Sequence, residues 1–328
     1  MNRFRAALLA TLAVFAVPLA AAGPSPRSVR SEGFVEANGV HLQYLDWGGT
    51  GPALILLHGL GDNPYVFDDI APAFTDRFHV IAYARRGCGS SDVKGPYDVI
   101  TMTEDLRGLM DALGIAKAYL VGYSAAGSEI TEMAAEHPER VARLIYFDGA
   151  YDWSDPDFKV AVEALPVGFF DPPSSAMASW AAYRAYMKAN MYPGLEDLAR
   201  IDSNMRAKVV IQRDGKIVYR TPREVVGAFY SALWSNKRSD YAAVHCPTLA
   251  IYAMHLYDLN ITNVQRRNSL SAYEQKYWLP FQEKSIQHVR REQTRAQIVR
   301  VPGTHSSFFM TERRQVVVLM RQFLQSAD

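Results

Sequence analysis

The sequence predicts an α/β fold in which helices cover both faces of a mostly parallel β-sheet. Short, continuously apolar runs are the first indication, because strands buried on both faces lack the alternation of half-exposed strands. Helical patterns separate these runs, and an alternating order of strands and helices is typical of a doubly wound sheet. The apolar runs lie at residues 53–57, 79–83, 118–121, 144–147, 249–253 and 298–301.

An antiparallel hairpin is predicted before the parallel strands. Two short alternating runs lie within residues 34–44 and are joined by Asn38 and Gly39. This dipeptide favours a two-residue hairpin turn, because both residues tolerate the positive φ angles that the turn requires. We therefore expect the sheet to begin with an antiparallel pair.

Three helices are predicted around the parallel strands. The first begins at a capping box formed by Thr101 and Glu104 and ends at Gly114. The second covers residues 125–137 and is stopped by Pro138. The last helix has a buried stripe, formed by Val316, Leu319, Met320, Phe323 and Leu324.

Two long segments interrupt the alternation of strands and helices. Residues 152–240, here called the cap insertion, are rich in aromatic side chains, and connections of that length without structure are rare. We expect a folded, mainly helical insertion that covers the site and lines an apolar pocket, leaving residues 34–151 and 241–328 as the core. Residues 254–295 form a second long connection, helical by composition.

The N-terminal 22 residues have the three parts of a secretory signal peptide. Two arginines precede an apolar run at residues 6–19, and three alanines ending at Ala22 supply the small residues of a cleavage site. A membrane anchor is the alternative, since the run is near the lower length limit for crossing a bilayer. We expect cleavage after Ala22, a leader at residues 23–33, and a periplasmic or secreted chain without stable membrane insertion.

Composition and charge indicate a small-molecule partner. The 328 residues include 35 Lys and Arg against 34 Asp and Glu, a net charge of +1. This balance does not indicate a nucleic-acid partner, and the oligomeric state is not determined. Cys88 and Cys246 are more often unlinked thiols in a domain of this size, with a disulfide as the alternative. Neither has a metal-site partner at useful spacing, and we expect no metal and no cofactor.

Ser124 lies where a predicted strand runs directly into a predicted helix. Such a turn is tight, so small residues are needed two positions before and two after the serine, and Gly122 and Ala126 fill them. The turn exposes the hydroxyl at the carboxyl edge of the sheet, where ligands bind in such folds. The amide of Ala125, at the helix N-terminus, would face a developing oxyanion. The pattern predicts that Ser124 is a nucleophile.

A second turn supplies another predicted oxyanion donor. His58 and Gly59 follow the strand at residues 53–57, and the glycine lets the backbone bend so that the amide of Leu60 points into the site. We assign His58 itself a structural role, in which its ring holds the loop by hydrogen bonds.

These segments together resemble the α/β-hydrolase superfamily. The resemblance covers residues 34–152 and 246–325, and it includes the loop at residues 84–92 and the segment at residues 137–141. It implies a doubly wound α/β-hydrolase sheet with an inserted cap, and a Ser–acid–His triad in that chain order. Because Ser124 replaces an aspartate, the chain departs from the dehalogenase and epoxide-hydrolase branches, which need a carboxylate nucleophile.

The resemblance also indicates the base and the acid. His305 follows the last predicted strand, where the family has its histidine, and would be the general base. The family usually places its acid after the seventh strand, where this chain has Leu256, with Asp258 two residues further on. Asp148 follows the sixth predicted strand, where the haloalkane dehalogenases carry their acid. We place Asp148 first, because the sheet holds it rigidly, and keep Asp258 as the alternative.

The implied activity is that of a serine hydrolase. We expect it to cleave an ester, thioester or lactone of a small, largely apolar substrate through an acyl-enzyme intermediate, and to favour hydrophobic over charged groups. Amide or carbon–carbon bond hydrolysis on the same triad is an alternative. A non-catalytic ligand-binding protein of this fold is another, favoured only by the unusual acid region, because fold alone does not determine function.

Overall fold

The computed structural model describes residues 30–166, 171–236 and 240–326. The predicted signal peptide, residues 23–29 of the predicted leader, and two aromatic residues of the cap insertion, Phe169 and Phe170, lie outside these ranges. None of the helices within these ranges combines the length and the apolar character that a membrane crossing requires.

Ten strands form two sheets in the described ranges. In chain order they are β1 (Ser31–Ala37), β2 (Val40–Gly48), β3 (Ala53–Leu57), β4 (His79–Tyr83), β5 (Ala118–Tyr123), β6 (Val141–Phe147), β7 (Val209–Ile211), β8 (Ile217–Tyr219), β9 (Thr248–His255) and β10 (Gln297–Thr304). The main sheet has the order β1-β2-β4-β3-β5-β6-β9-β10, and β7 pairs with β8 alone. Pairs β1–β2 and β2–β4 are antiparallel, and the other pairs of the main sheet are parallel. The predicted mostly parallel sheet with an antiparallel start is confirmed.

Helices follow most of the parallel strands. In chain order they are α1 (Val99–Ala112), α2 (Ala126–Glu136), α3 (Pro156–Glu163), α4 (Trp180–Asn190), α5 (Asp202–Ala207), α6 (Arg223–Ser235), α7 (Val264–Tyr273), α8 (Leu279–Glu292), α9 (Phe308–Thr311) and α10 (Arg313–Gln325). A π-helical turn, Glu274–Trp278, joins α7 to α8.

The main sheet separates two apolar cores. All five residues of β3 are buried, and they alternate between the cores: Ile55 and Leu57 face one core, and Leu54 and Leu56 face the other. Helices α1 and α2 pack in the first core, and α10 packs in the second. A strand with this double burial has no polar face, which is why the apolar runs predicted the strands well.

The hairpin begins earlier than predicted. Strand β1 starts at Ser31, so residues 31–33 of the predicted leader pair with β2 instead of preceding the sheet. Gly33 lies opposite Tyr44, whose ring covers it so closely that a Cβ at Gly33 would lie 2.6 Å from the ring. A glycine provides no strand signal in a sequence, which explains the missed start. The turn is as predicted, since Asn38 has a φ of 47°.

Helix α1 shows that the predicted capping box is wrong. The helix begins at Val99, and its N-cap is Asp98, whose carboxylate accepts hydrogen bonds from the amide and hydroxyl of Thr101 at 2.9 and 2.8 Å. Glu104 instead accepts a hydrogen bond from Arg107. Aspartate and threonine are both good N-cap residues, so the sequence alone did not distinguish Asp98 from Thr101.

The chain leaves the main sheet between β6 and β9. The described part of the cap insertion contains α3 to α6 together with the pair β7–β8, so it is mainly helical. The small antiparallel pair was not predicted, because strands of three residues are too short to give a periodic signal. The division of the chain into a core and a cap at residues 152 and 240 stays a prediction. The second long connection, between β9 and β10, is helical as expected.

Candidate active site

Ser124 occupies a strained turn at the carboxyl end of β5. Its φ is +56°, a backbone conformation that residues other than glycine rarely adopt. Its amide donates to the carbonyl of Phe147 at 2.9 Å. Helix α2 begins only two residues later, at Ala126. A Cβ at Gly122 would lie 2.8 Å from the Ala126 carbonyl oxygen, so the turn requires glycine at this position, where the sequence predicted a small residue.

A second close contact joins this turn to the end of β6. A Cβ at Gly127 would lie 1.8 Å from the Gly149 carbonyl oxygen, and a Cβ at Gly149 would lie 2.7 Å from the Ser124 carbonyl oxygen. The two backbones therefore touch directly, and this contact brings Asp148 towards the serine. The strictest requirement for glycine after the serine falls on Gly127.

His305 lies between the serine and an aspartate. Its Nε2 atom is 2.9 Å from the Ser124 hydroxyl oxygen, and its Nδ1 atom is 2.7 Å from Asp148 Oδ2. Its backbone amide donates to the carbonyl of His255 at 2.8 Å, so the end of β9 holds the loop that carries the ring. With Nδ1 donating to the carboxylate, Nε2 is left to accept the serine proton. The structure thus brings together the three residues predicted for the triad.

Asp148 is buried and held from several sides. Its φ is +44°, and its amide donates to the Ile251 carbonyl at 2.7 Å. The Tyr151 hydroxyl donates to Asp148 Oδ1 at 2.5 Å. Gln282 in turn donates to the Tyr151 hydroxyl oxygen at 2.9 Å and to the Ala253 carbonyl at 3.0 Å. Burial, followed by the charge of Asp148, raises the pKa of Tyr151 well above its usual range, so Tyr151 remains a donor.

The alternative acid has other partners. Asp258 accepts hydrogen bonds from the amide of Gly194, at 2.8 Å, and from the amide and side chain of Asn260. It therefore ties the cap insertion to the end of β9, and none of its hydrogen bonds reaches the imidazole. Leu256, at the position where the family usually has its acid, is buried and lines the cavity, while its amide donates to Glu274 Oε1 at 2.6 Å.

The two predicted oxyanion donors lie on opposite sides of the serine in sequence and on the wall of one cavity. Leu60 belongs to a turn closed by the hydrogen bond from the amide of Asp62 to the carbonyl of Gly59, at 3.2 Å. Ala125 is the N-cap residue of α2. Both residues line the cavity that contains Ser124, and no protein acceptor is found for either amide in the described ranges. Both amides are thus available to a ligand.

His58 has the structural role expected from the sequence. One ring nitrogen, Nδ1, lies 2.8 Å from the carbonyl of Gly59, and the other accepts a hydrogen bond from the amide of Arg85 at 3.2 Å. Burial, and then the charge of Arg85, lowers the pKa of His58 well below its usual range. The neutral ring holds the turn and does not reach the cavity.

The cavity above Ser124 has a volume of about 480 Å³. Its walls come from the cap insertion, the second long connection and the loops of the main sheet. Aromatic and aliphatic side chains dominate it, including Trp153, Phe158, Val162, Leu165, Tyr230, Leu233, Leu256, Tyr273 and Trp278. Residues of the cap insertion therefore line the site, as expected.

Three residues of the site were not found from the sequence: Tyr151, Gln282 and Lys208. Tyr151 and Gln282 support Asp148, and Lys208 lines the cavity beside Asp62, 3.3 Å away. Gln282 and Lys208 act with partners distant in sequence, for which a single sequence carries no signal. A tyrosine three residues after a strand-end aspartate was the only local hint.

The two cysteines are free thiols. Cys88 is buried and Cys246 is partly buried, and burial raises the pKa of each to about 11. Of the two alternatives that the sequence left open, the structure has the unlinked thiols, and thiols with a raised pKa are poor nucleophiles at neutral pH. Within the described part of the chain, no group of three or more His, Cys, Asp or Glu residues is arranged to hold a metal ion.

The chain is similar in sequence to known hydrolases. A family profile described as the alpha/beta hydrolase fold matches residues 52–175. "Putative carbamate hydrolase RutD" of Caulobacter segnis is 36% identical over 124 residues, which are 37% of this chain and 45% of that protein. The chain thus spans less than half the length of this curated relative.

Two solved structures share the fold over most of the chain. The E-2-(acetamidomethylene)succinate hydrolase has a TM-score of 0.72 at 20% identity and covers 91% of this chain and 100% of its own. The enol-lactonase of Burkholderia xenovorans LB400 has a TM-score of 0.59 at 22% identity and covers 90% and 100%. Together with the sheet order, these similarities show that the chain has the α/β-hydrolase fold, and the profile matches part of it, residues 52–175.

Proposed function

We propose that this protein is a serine hydrolase that transfers an acyl group to water through an ester on Ser124. The observation that carries the proposal is the position of His305, which contacts the Ser124 hydroxyl through Nε2 and Asp148 through Nδ1. The names of the similar proteins, which include a carbamate hydrolase and an enol-lactonase, support hydrolysis of a carbonyl substrate.

In this proposal each group of the site has one role. His305 takes the proton of Ser124 as the serine oxygen attacks the substrate carbonyl, and the imidazolium that forms is stabilised by Asp148. The amides of Leu60 and Ala125 donate to the oxyanion. The imidazolium then protonates the leaving alcohol, thiol or enol, and a water molecule, activated by the same base, releases the acid product.

The cavity supports a small, largely apolar ester, thioester or lactone as substrate. At about 480 Å³ the cavity suits a small molecule, and its aromatic walls favour hydrophobic groups. The alternative of a non-catalytic ligand-binding protein drew its support from the unusual acid region. That support weakens, because Asp148 provides the carboxylate that Leu256 lacks.

The test is hydrolysis of a series of methyl esters of graded acyl length by the mature chain and by Ser124→Ala. The alanine keeps the same Cβ in the same turn, so the variant should remain folded. We expect kcat/KM to fall by about 10³-fold or more, the scale of triad removal. Near-full activity of the variant, or a preference for polycharged substrates, would contradict the proposal.

We also propose that the protein is exported and loses its leader after Ala22, as the N-terminal sequence predicts. The mass of the native N-terminus in the periplasmic or secreted fraction tests this. A mature chain that starts at Gly23 is expected, whereas an intact Met1 on a membrane-bound protein would identify residues 6–19 as an anchor.

A further inference from the structure

A buried cationic side chain interrupts the apolar wall of the cavity. Lys208 follows helix α5 of the cap insertion and lines the cavity, and its side chain is only 14% exposed. Its Nζ atom is 3.3 Å from Asp62 Oδ1. Burial lowers the pKa of Lys208, but Asp62 and the surrounding tyrosines more than compensate and raise it, so the ammonium stays charged. A buried charge needs partners, because an unsatisfied ammonium is costly.

The carboxylate beside Lys208 does not satisfy it fully. Asp62 Oδ1 also accepts hydrogen bonds from the amide of Asn63, at 2.9 Å, and from the side chain of Asn204, at 2.5 Å. Its charge is therefore shared among three donors. An ammonium group has three donors of its own, and in the described ranges its partners are Asp62, the only carboxylate within 4 Å, and the hydroxyl of Tyr192.

Tyrosine hydroxyls surround the same part of the cavity. Three tyrosines line the cavity here: Tyr183, Tyr192 and Tyr219. Tyr183 and Tyr192 contribute to the raised pKa of Lys208, and the charge of Lys208 in turn acts to lower the pKa of Tyr219. The hydroxyl of Tyr183 is fully buried, and its hydrogen-bond neighbour is the hydroxyl of Tyr219. Hydroxyls and an ammonium, all able to donate, form a site that suits an oxygen anion.

We propose that Lys208, with the nearby tyrosine hydroxyls, binds a single carboxylate on an otherwise apolar substrate. This inference rests on the proposed hydrolase function and narrows its substrate class to half-esters and similar monoanionic acyl compounds. Asp62 lies two residues after Leu60, so the residue that pairs with Lys208 and one proposed oxyanion donor share a loop at the wall of the same cavity. A second charge on the substrate would meet the aromatic wall.

A cationic substrate bound by Asp62 fits the contacts less well. Three donors already occupy Asp62 Oδ1, and the Asp62 side chain is 9% exposed. The other ion pair of the cavity, Asp171 with Arg223, has side chains that are 62% and 82% exposed, so solvent screens both charges. Lys208 is thus the charge that a buried part of the substrate meets.

The test compares esters that differ only in this charge. Monomethyl adipate carries a carboxylate where methyl 6-methylheptanoate carries an isopropyl group of the same shape, and methyl esters of the glutarate and suberate series extend the comparison. The readout is the ratio of kcat/KM for the anionic over the apolar ester, measured in one protein so that losses of folded protein cancel. We expect the wild-type ratio to exceed about tenfold, as for a hydrogen bond to a buried charge.

Two variants should change this ratio in opposite directions. Lys208→Met should lower it by about tenfold or more, and Asp62→Asn should raise it, because the competing carboxylate is removed. Lys216→Met is the matched control, since Lys216 is exposed on the β7–β8 turn and pairs with Asp214; its ratio should equal that of the wild type. A wild-type ratio of one or less, or an unchanged ratio in Lys208→Met, would overturn the inference.

A binding measurement separates this inference from the proposed function. Calorimetric titration of Ser124→Ala with monomethyl adipate measures recognition without turnover, and Lys208→Met in the same background should weaken it by about tenfold. Binding that depends on Lys208 without hydrolysis of any ester by the wild type would sustain the carboxylate site and refute the hydrolase. Hydrolysis of apolar esters alone, with no binding of the half-ester, would do the reverse.

Discussion

Backbone strain in this protein coincides with the proposed catalytic residues. In the described ranges only three residues other than glycine have a positive φ: Asn38, which forms the hairpin turn, and Ser124 and Asp148. Such conformations persist only where the surrounding structure enforces them, and they cluster at functional sites. Here the enforcing contacts are the backbone hydrogen bonds of both residues and the contact between Gly127 and Gly149.

Single residues of the site differ in how far the sequence reveals them. Ser124 is marked by small neighbours at a strand–helix junction, and the resemblance places His305 after the last strand. Asp148 was only ranked above Asp258, because the choice depends on which carboxylate faces the imidazole. Lys208 gave no signal at all, since its partner Asp62 is 146 positions earlier and only the fold brings them to 3.3 Å.

Tyr151 provides a test of how Asp148 is held. Tyr151→Phe removes the donor to Asp148 Oδ1, so the carboxylate should orient His305 less well. We predict a fall in kcat of about tenfold, the effect of one hydrogen bond to a charged group, with KM within about threefold. KM should change little because Tyr151 is buried behind the site and does not line the cavity.

Tyr252→Phe is the control for this experiment. Tyr252 is equally buried, packs edge-on against Tyr151 and donates to the carbonyl of Ala150 at 2.7 Å, so its loss costs a comparable hydrogen bond. It makes no contact with the Asp148 carboxylate by hydrogen bonding. Equal losses of kcat in both variants would reduce Tyr151 to a packing role.

At the scale of elements, the sequence predicted the strands better than the helix starts. The apolar runs at β3 and β4 match the observed bounds, because burial on both faces removes ambiguity. The start of α1 was wrong because Asp98 and Thr101 are both good caps, and choosing between them needs the tertiary structure. The strands β7 and β8 were missed because of their length.

The contact between α2 and the end of β6 is the element-scale feature that positions the site. Gly127→Ala would place a methyl group 1.8 Å from the Gly149 carbonyl oxygen, and backbone is less able to move than a side chain. We predict a loss of about 1–3 kcal/mol in the free energy of unfolding, the usual scale of overpacking, together with a loss of activity as Asp148 moves.

Gly227→Ala is the matched control for this substitution. Gly227 lies within helix α6, and a Cβ there would meet no atom within 4 Å. The free energy of unfolding should rise by up to about 1 kcal/mol, because alanine is the better helix former. Urea unfolding measures the free energy of unfolding of both variants. If both substitutions changed it in the same direction by similar amounts, the close contact would not determine the turn.

At the scale of the whole molecule, the cap insertion is hydrogen-bonded to the loop that carries Leu60, a proposed oxyanion donor. The side chain of Asn204 donates to Asp62 Oδ1, and the backbone carbonyl of Asn204 accepts a hydrogen bond from the side chain of Asn63 at 3.1 Å. Arg200 donates to Asp69 and to the carbonyl of Met310 at 2.9 Å. The sequence predicted a folded insertion over the site, but these contacts link segments more than 100 positions apart and need the fold.

Two buried groups give the stability a pH dependence of opposite sign. Burial raises the pKa of Glu129, the ion-pair partner of Arg85 at 2.6 Å, to about 7, so the folded state keeps a proton that the unfolded state loses above about pH 4.5. The contribution of Glu129 to the free energy of unfolding is therefore lost as pH rises towards 7. The lowered pKa of His58 acts oppositely, because the unfolded state binds a proton below pH 6.5 that the folded state refuses.

Substitutions should separate these contributions. In Glu129→Gln the free energy of unfolding should rise more steeply with pH between 5 and 6.5 than in the wild type, and in His58→Gln less steeply. Each change is at most about 1.4 kcal/mol per pH unit. Urea unfolding at several pH values measures the slopes, which remain informative even where the variants are destabilised. Parallel slopes in all three proteins would show that neither group titrates in this window.

The most direct test of the proposed hydrolase activity is covalent trapping of Ser124. A fluorophosphonate reacts with a serine only when a base activates it beside oxyanion donors, the arrangement proposed for Ser124, whose hydroxyl oxygen lies 2.9 Å from His305 Nε2. Peptide mass spectrometry should place one phosphonyl group on Ser124, and Ser124→Ala should abolish the adduct. Ser128→Ala, which removes a buried hydroxyl from helix α2, the helix that follows Ser124, should leave the adduct unchanged. An unmodified protein, or an adduct on another serine, would contradict the assignment of Ser124.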